Sequence, residues 1–172
     1  MAAAQVVAAR ECRRCLMENR RSMIELKKIV KRFYEGKPNE LEILHGIDLT
    51  VKEGEFVSIV GESGSGKSTL MNIIGALDRP TMGDYILTGI DVAKAKDKEL
   101  SEIRNQQIGF VFQTYNLIAR TTALANVELP MLYGAVPKKE RTRRAKELLE
   151  MVGMRERMDH RSDELSGGQK QR

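Results

Sequence analysis

The sequence predicts an α/β fold, because apolar stretches typical of buried strands alternate with stretches typical of amphipathic helices. Residues 55–60 form one such apolar run, which leads through a glycine-rich loop into a segment with helical periodicity. Residues 108–112 form a second run that is apolar on both faces, as a central parallel strand is. Together with an amphipathic pattern at residues 138–152, these runs predict one doubly wound domain within the 172 residues.

The charge distribution argues against a nucleic-acid-binding protein. The net charge is +5, but residues 1–22 hold five arginines against two glutamates and so contribute +3 of it. The remaining body is close to balanced, and only 5% of the chain is aromatic. A basic stripe with interleaved aromatic residues is therefore lacking, and we expect no nucleic acid partner.

Residues 1–22 are interpreted as a disordered tail or a misassigned start, with the domain proper at 23–172 and Met23 as a plausible true start. Their apolar stretch is too short for a secretory signal, so we expect a cytoplasmic protein. Cys12 and Cys15 form a lone C-x-x-C that could be half of a zinc site or a redox pair. Without a second ligand pair, neither function is favoured.

The elements follow in a regular order from Met23. Alternating apolar residues predict three short strands before the glycine-rich loop, and these imply an antiparallel sheet. The helix after the loop should continue past Leu77 and stop near Pro80, since proline cannot extend it. Residues 85–87 then favour a strand, and residues 97–107 a short helix with Leu100 and Ile103 facing inward.

The glycine-rich loop has the spacing G-x-x-x-x-G-K-[ST], which is typical of a phosphate-binding loop. Glycines let the backbone turn sharply and aim amide groups inward, while the following helix and the lysine add positive charge where a polyphosphate would lie. The serine hydroxyl after the lysine suits Mg²⁺. A Gly/Ser linker is the alternative, but a linker would not join a strand pattern to a helix pattern. The predicted phosphate-binding residues are Gly61, Glu62, Ser63, Gly64, Ser65, Gly66, Lys67, Ser68 and Thr69.

Two further stretches are candidates for ligand binding. The apolar run at 108–112 ends on the polar Gln113, and ligands of α/β sheets gather at the carboxyl ends of strands. The helix predicted over 138–152 ends at Gly153 and leads to the sequence Leu165, Ser166, Gly167, Gly168, Gln169. Serine is a good helix N-cap, so these five residues alone could equally be an ordinary helix entry.

With the phosphate loop, Gln113 and residues 165–169 in this order, the sequence resembles the ATP-binding cassette (ABC) ATPases over residues 23–172. Residues 165–169 are similar to that family's signature, and Gln113 to its Q-loop glutamine. The resemblance implies ATP and Mg²⁺ as cofactors, with Ser68 and Gln113 near the metal. It also implies a head-to-tail dimer, in which Ser166 and Gly167 of one copy meet the γ-phosphate held by Lys67 of the other.

The resemblance further implies an aromatic residue stacked on adenine, which would be Phe33 or Tyr34, with Phe33 favoured. Packing of the same ring in the protein interior is the alternative. Ser162 stands where relatives often carry proline, and this difference is expected to loosen the approach to the signature. His45 and His160 match none of the family's functional histidines.

Within the family, the surroundings of Gln113, residues 122–130 and the helix after the phosphate loop resemble the branch of macrolide exporters, lipoprotein-release systems and a cell-division ATPase. The implied function is ATP hydrolysis that powers a separate membrane permease, with the protein on the inner face of the membrane. The alternative is a non-transport ABC ATPase, either a cell-division regulator or a DNA-maintenance enzyme. The resemblance implies a helical subdomain inserted before the signature, and the compact helical region between Gln113 and Leu165 argues against the DNA-maintenance class, whose motifs are separated by long insertions.

The family's metal-binding aspartate, catalytic glutamate and switch histidine lie beyond its signature, and the sequence given ends at Arg172. No catalytic residue is therefore assigned within residues 1–172. The chain of 172 residues is expected to fold poorly by itself and to show no magnesium-dependent ATP hydrolysis, whereas the full-length parent is expected to be an ATPase.

Overall fold

The computed structural model describes residues 20–172 and the backbone of a strand at Gln5–Ala8. The chain divides into two compact units, residues 1–101 and 102–172. The remainder of the predicted tail at 1–22, with Cys12 and Cys15, lies outside the described residues. At Gln5–Ala8 the structure differs from that prediction, since these four residues pair as a strand.

Among its described residues, the first unit contains six strands and the first helix. Their bounds are β1 Gln5–Ala8, β2 Ser22–Phe33, β3 Leu41–Lys52, β4 Val57–Val60, α1 Lys67–Ile74, β5 Met82–Leu87 and β6 Ile90–Asp91. Four strands form an antiparallel sheet in the order β3-β2-β5-β6, while β4 pairs antiparallel with β1. Helix α2, Asp97–Gln107, crosses the boundary between the units at residues 101 and 102.

The antiparallel sheet before the phosphate loop is confirmed, but the prediction of three short strands is wrong. Two strands of 12 residues each occupy this region. The apolar alternation breaks between Leu26 and Ile29 because β2 is bulged there, with Lys28 at φ 51°. A bulge adds a residue without ending a strand. The break in the pattern therefore marks an irregularity inside β2 and not its end.

The core of the first unit lies between the antiparallel sheet and α1. Large side chains from both are almost fully buried, and burial of each one contributes about 1.5 to 3 kcal/mol to folding. They are Leu26, Ile29, Leu44, Leu70, Ile73 and Tyr85. The phosphate loop is therefore carried by a helix that is packed into a core.

The second unit is helical. Helix α3 spans Ala123–Tyr133, α4 spans Lys138–Met151 and α5 spans Gly167–Gln171, with 3₁₀ turns at Arg155–Arg157 and Ser162–Glu164. Its core brings together Ala123, Leu149, Met154 and Leu165. The helices predicted over 97–107 and 138–152 are confirmed to within one residue. Leu100 and Ile103 are buried, as predicted.

Two predictions of element bounds are wrong. Helix α1 ends at Ile74, since Gly75 caps it and Ala76 follows at φ 52°; Leu77 is therefore outside the helix and 48% exposed. Residues 108–112 form no strand in the described structure, and Val111 is 92% exposed. Apolarity on both faces favours a buried strand, but a strand also needs a hydrogen-bonded neighbour, which the pattern does not supply.

No helix among the described residues has the length and apolar character needed to span a membrane.

Candidate nucleotide site

The phosphate loop joins β4 to α1, and its shape depends on two glycines with positive φ. Gly64 has φ 81°, and Gly66, the N-cap of α1, has φ 91°. A methyl group at Gly66 would lie 3.0 Å from Leu44 Cδ2 and 3.1 Å from Ile43 Cγ2, whereas Gly64 has open space around it. Gly66 is therefore required for both its backbone conformation and its close approach to β3.

Lys67 is the first residue of α1, and its side chain folds back over the loop. Its Nζ donates to Gly61 O at 2.7 Å, to Glu62 O at 2.5 Å and to Ser65 Oγ at 3.3 Å. The ammonium group thus lies over the loop that leads into the N-terminus of α1. A helix N-terminus and a cation together favour a bound anion.

Helix α1 is fixed by Tyr85 on β5, which sequence reasoning did not find. The Tyr85 side chain is fully buried, and its Oη donates to Ile74 O, in the last turn of α1, at 2.5 Å. Burial raises the pKa of the Tyr85 phenol well above its ordinary value of 10.0, because the ionised form would lose its hydration. The only signal in the sequence is a tyrosine in an otherwise apolar strand.

The candidate adenine-stacking residues lie at the end of β2. Phe33 pairs with Leu41 and is 37% exposed; Tyr34 follows the strand at φ 57° and is 59% exposed. Lys31 Nζ lies 5.3 Å from the centre of the Phe33 ring and is held by Asp78 Oδ1 at 2.7 Å. Both rings are accessible, and Phe33 is the one fixed by a neighbouring cation.

Gln113 and the signature both belong to the second unit. Gln113 is exposed and follows the stacked rings of Phe110 and Phe112, whose centres are 5.1 Å apart. Tyr115, two residues later, approaches the signature: a methyl group at Gly167 would lie 3.1 Å from its Oη. The segment after Gln113 is therefore in close contact with the signature backbone.

The signature enters α5 through a capping box. Ser166 is the N-cap, and its Oγ accepts from Gln169 N at 3.4 Å, while Gln169 Oε1 accepts from Ser166 N at 2.9 Å. Leu165 is buried in the core of the second unit, and Gly168 has open space around it. Ser166 is thus the N-cap of α5, and the reciprocal bond from Gln169 adds to this cap.

Comparison with known proteins decides the family. A family model described as "ABC transporter" matches residues 44–172. The chain belongs to the ABC transporter family. Of the curated ABC transporter ATP-binding proteins, YvrO of Bacillus subtilis is 59% identical over 150 residues, which are 87% of this chain and 65% of that protein. The macrolide export ATP-binding/permease protein MacB of Azoarcus is 53% identical over 87% of this chain and 23% of its own length.

Solved structures of the ABC family agree with the fold. The dimeric structure of a post-hydrolysis state of the ATP-binding cassette MJ0796, bound to ADP and Pi, matches with a TM-score of 0.77 at 45% identity. The match covers 86% of this chain and 65% of that one. The predicted ABC-type α/β fold is confirmed, and the chain spans about 65% of the length of this structure and of YvrO.

The residues that the resemblance assigns to Mg²⁺ have suitable chemistry for it. Ser68 and Gln113 carry oxygen donors, both side chains are exposed, and Mg²⁺ prefers oxygen ligands with only one or two from the protein. Ser68 lies in the first unit and Gln113 in the second. Within the described residues, no group of three or more His, Cys, Asp or Glu side chains could hold a metal ion by itself.

Proposed function

We propose that this chain is the ATP-binding part of an ABC transporter, in which ATP is held through its phosphates by residues 61–69. The observation that carries the proposal is the phosphate loop, where the Lys67 ammonium lies at the N-terminus of a helix packed into the core. Phosphate oxygens would accept the hydrogen bonds that Lys67 Nζ now donates within the loop. Phe33, or failing it Tyr34, would stack on the adenine.

Mg²⁺ would be held by the Ser68 hydroxyl together with phosphate oxygens, and the part of Gln113 in holding it rests on the family resemblance alone. When bound, it would neutralise the charge that develops on the phosphates as the terminal phosphoryl group is transferred. The chain's own contribution is to bind and orient ATP through residues 61–69. Hydrolysis is proposed for the whole protein to which this chain belongs.

The proposed partners are a second copy of the chain and a separate membrane permease of the export or lipoprotein-release type. The dimeric structure of MJ0796 supports the second copy, and the ATP-binding/permease name of MacB supports the association with a permease. In the head-to-tail dimer, residues 165–169 of one copy would face the γ-phosphate bound by the other. The permease would hold the protein at the cytoplasmic face of the membrane.

Replacing Lys67 tests ATP binding. In the full-length protein, we expect Lys67→Ala to weaken MgATP binding by about 100-fold, because a charge-assisted contact to phosphate contributes a few kcal/mol. Lys98→Ala, which removes an exposed lysine of α2, is the matched control and should leave the affinity unchanged. Equilibrium dialysis with labelled ATP measures both. An affinity of Lys67→Ala within twofold of the unchanged chain would refute the assignment.

Replacing Ser166 tests the dimer. Ser166→Arg should spare ATP binding to the monomer but block ATP-dependent dimerisation, because the proposed contact of Ser166 is the nucleotide of the other copy. Sedimentation velocity with and without MgATP measures this. Mixed dimers of Ser166→Arg with Lys67→Ala should keep one site made from two undamaged halves. Loss of both sites in the mixed dimer would contradict the head-to-tail arrangement.

A further inference from the structure

Ser162, four residues before Ser166, is a buried polar residue that is 7% exposed. Its Oγ donates to Ile118 O at 3.1 Å, and its backbone N–H donates to Thr121 O at 3.0 Å. Both bonds reach the turn at residues 118–122, which follows Gln113 along the chain. Ser162 therefore joins the approach to the signature to the segment that carries Gln113.

The turn at 118–122 is fixed on its other side by α3. Asn126 Oδ1 accepts from Ile118 N at 2.8 Å, and Asn126 Nδ2 donates to Thr121 Oγ1 at 2.7 Å and to Thr122 O at 3.0 Å. Thr121 Oγ1 also donates to Ile118 O at 2.8 Å. The two carbonyl groups that receive the Ser162 donors are thus parts of a rigid turn.

The segments on either side of Ser162 also contact the segment that follows Gln113. Thr122 and Arg161 form a β-bridge, and Ala123 N donates to His160 O at 2.9 Å. At the far end, Tyr115 Oη lies against Gly167. Residues 115–123 and 160–167 are therefore in contact along their length, and Ser162 supplies the side-chain bond between them.

We propose that Ser162 is a positioning residue, which holds the signature in a fixed place relative to the segment that follows Gln113. This inference rests on the proposed function, in which the signature meets the nucleotide of a second copy. Through Ser162, a displacement of the turn at 118–122 is passed to Ser166 and Gly167. The role is separate from nucleotide binding by the phosphate loop, which lies in the first unit.

The hydrogen bonds of Ser162 argue against the loosening expected from serine in place of proline. Ser162 is the first residue of the 3₁₀ turn, and Arg161 before it has φ −73° and ψ 156°, which a following proline accepts. At a helix start this N–H is usually without a partner. Here it has one, so serine adds two donors that proline would lack.

Hydrogen–deuterium exchange of the backbone amides tests the role in the full-length protein to which this chain belongs. Ser162→Ala removes the side-chain donor, and Ser162→Pro removes both donors at a position where proline is tolerated. We expect the amides of residues 118–122 and of Gln169 and Lys170 to exchange together, about fivefold faster in Ser162→Ala and at least tenfold faster in Ser162→Pro. Ser162→Thr keeps both donors and should restore slow exchange.

Thr142→Val is the matched control, since the Thr142 hydroxyl bonds to Glu128 and joins α3 to α4 within the same unit. It should raise the amide exchange rates in those helices and leave the exchange of the signature amides unchanged.

ATP binding measured in the same samples separates the proposed function from the proposed role of Ser162. Absent binding in the unchanged full-length protein would overturn the proposed function. Normal ATP binding with unchanged exchange of the signature amides in Ser162→Ala would overturn the role of Ser162. Faster exchange of the signature amides in Thr142→Val would overturn it as well. If Ser162→Pro does not fold, the result for Ser162→Ala is sufficient.

Discussion

The phosphate loop and the signature both place a short loop before a helix N-terminus, but they are built in different ways. The phosphate loop depends on its backbone: Gly66 adopts φ 91° in a space too small for a methyl group, and the helix behind it is buried at Leu70 and Ile73. The signature depends on side chains, through the capping box of Ser166 and Gln169 and the bonds of Ser162.

This difference separates a rigid site from an adjustable one. A loop held by backbone geometry and core packing can change only if the core changes as well. A loop held by a few side-chain hydrogen bonds can move when its supporting turn moves, because each bond contributes only about 1 kcal/mol. In this chain the rigid site is the one that carries a lysine, and the adjustable site is tied to the segment that follows Gln113.

The largest expected effect comes from Gly66→Ala, which tests the rigidity of the phosphate loop. We expect a loss of about 2 to 4 kcal/mol in the free energy of unfolding of the first unit, since the positive φ and the contacts with Leu44 and Ile43 both oppose a methyl group. Gly64→Ala has the same backbone strain in open space and should lose only about 1 kcal/mol. Urea denaturation measures both losses, and equal values would show that packing against β3 is unimportant.

A smaller effect is expected from Tyr85→Phe, which removes the support of α1. The lost hydrogen bond to Ile74 O should cost about 1 kcal/mol at pH 7. Because folding raises the pKa of Tyr85, its neutral form stabilises the folded chain fully below pH 10, and that stabilisation falls as the pH rises further. The difference between wild type and Tyr85→Phe should therefore shrink above pH 10.

Urea denaturation at pH 7, 9 and 10.5 checks this dependence. Tyr133→Phe is the control, since Tyr133 is 77% exposed and its replacement should change stability little at any of these values. A constant difference between wild type and Tyr85→Phe over the whole range would contradict the buried neutral phenol.

The smallest effect is expected at the signature and sharpens the contrast with Gly66. Gly168→Ala has open space and should slow amide exchange in α5 slightly, because alanine favours helix over glycine by up to about 1 kcal/mol. Gly167→Ala should show less of this gain, since its methyl group meets Tyr115 Oη at 3.1 Å. In a Tyr115→Ala background the two substitutions should become equal; a persistent difference would mean that Tyr115 does not restrict Gly167.

The sequence was sufficient for features that depend on local pattern. The phosphate loop, the helices at Asp97–Gln107 and Lys138–Met151 and the N-cap at Ser166 each follow from spacing or capping within a few residues. The bulge in β2 was visible as a broken alternation, but a broken alternation is equally the mark of a strand end. Periodicity alone does not distinguish the two.

Features that depend on distant partners could not be predicted. Residues 108–112 have the composition of a central strand, yet the described structure gives them no strand pairing. A polar residue such as Ser162 is ordinarily exposed, but here its partners Ile118 and Thr121 lie more than 40 residues away in sequence. Tyr85 supports α1 in the same way, through a carbonyl group 11 residues before it in sequence.

The hydrogen bonds of Lys67 to Gly61 O and Glu62 O affect the affinity of the loop for nucleotide. The loop contains its own competitor for the ammonium group, so in the proposed function phosphate would enter by displacing those carbonyl groups from Lys67. The net gain is the difference between bonds to an anion and bonds to neutral carbonyl groups. Changes that weaken the hydrogen bonds of Lys67 to residues 61 and 62 would raise the affinity for nucleotide without adding any contact to the nucleotide.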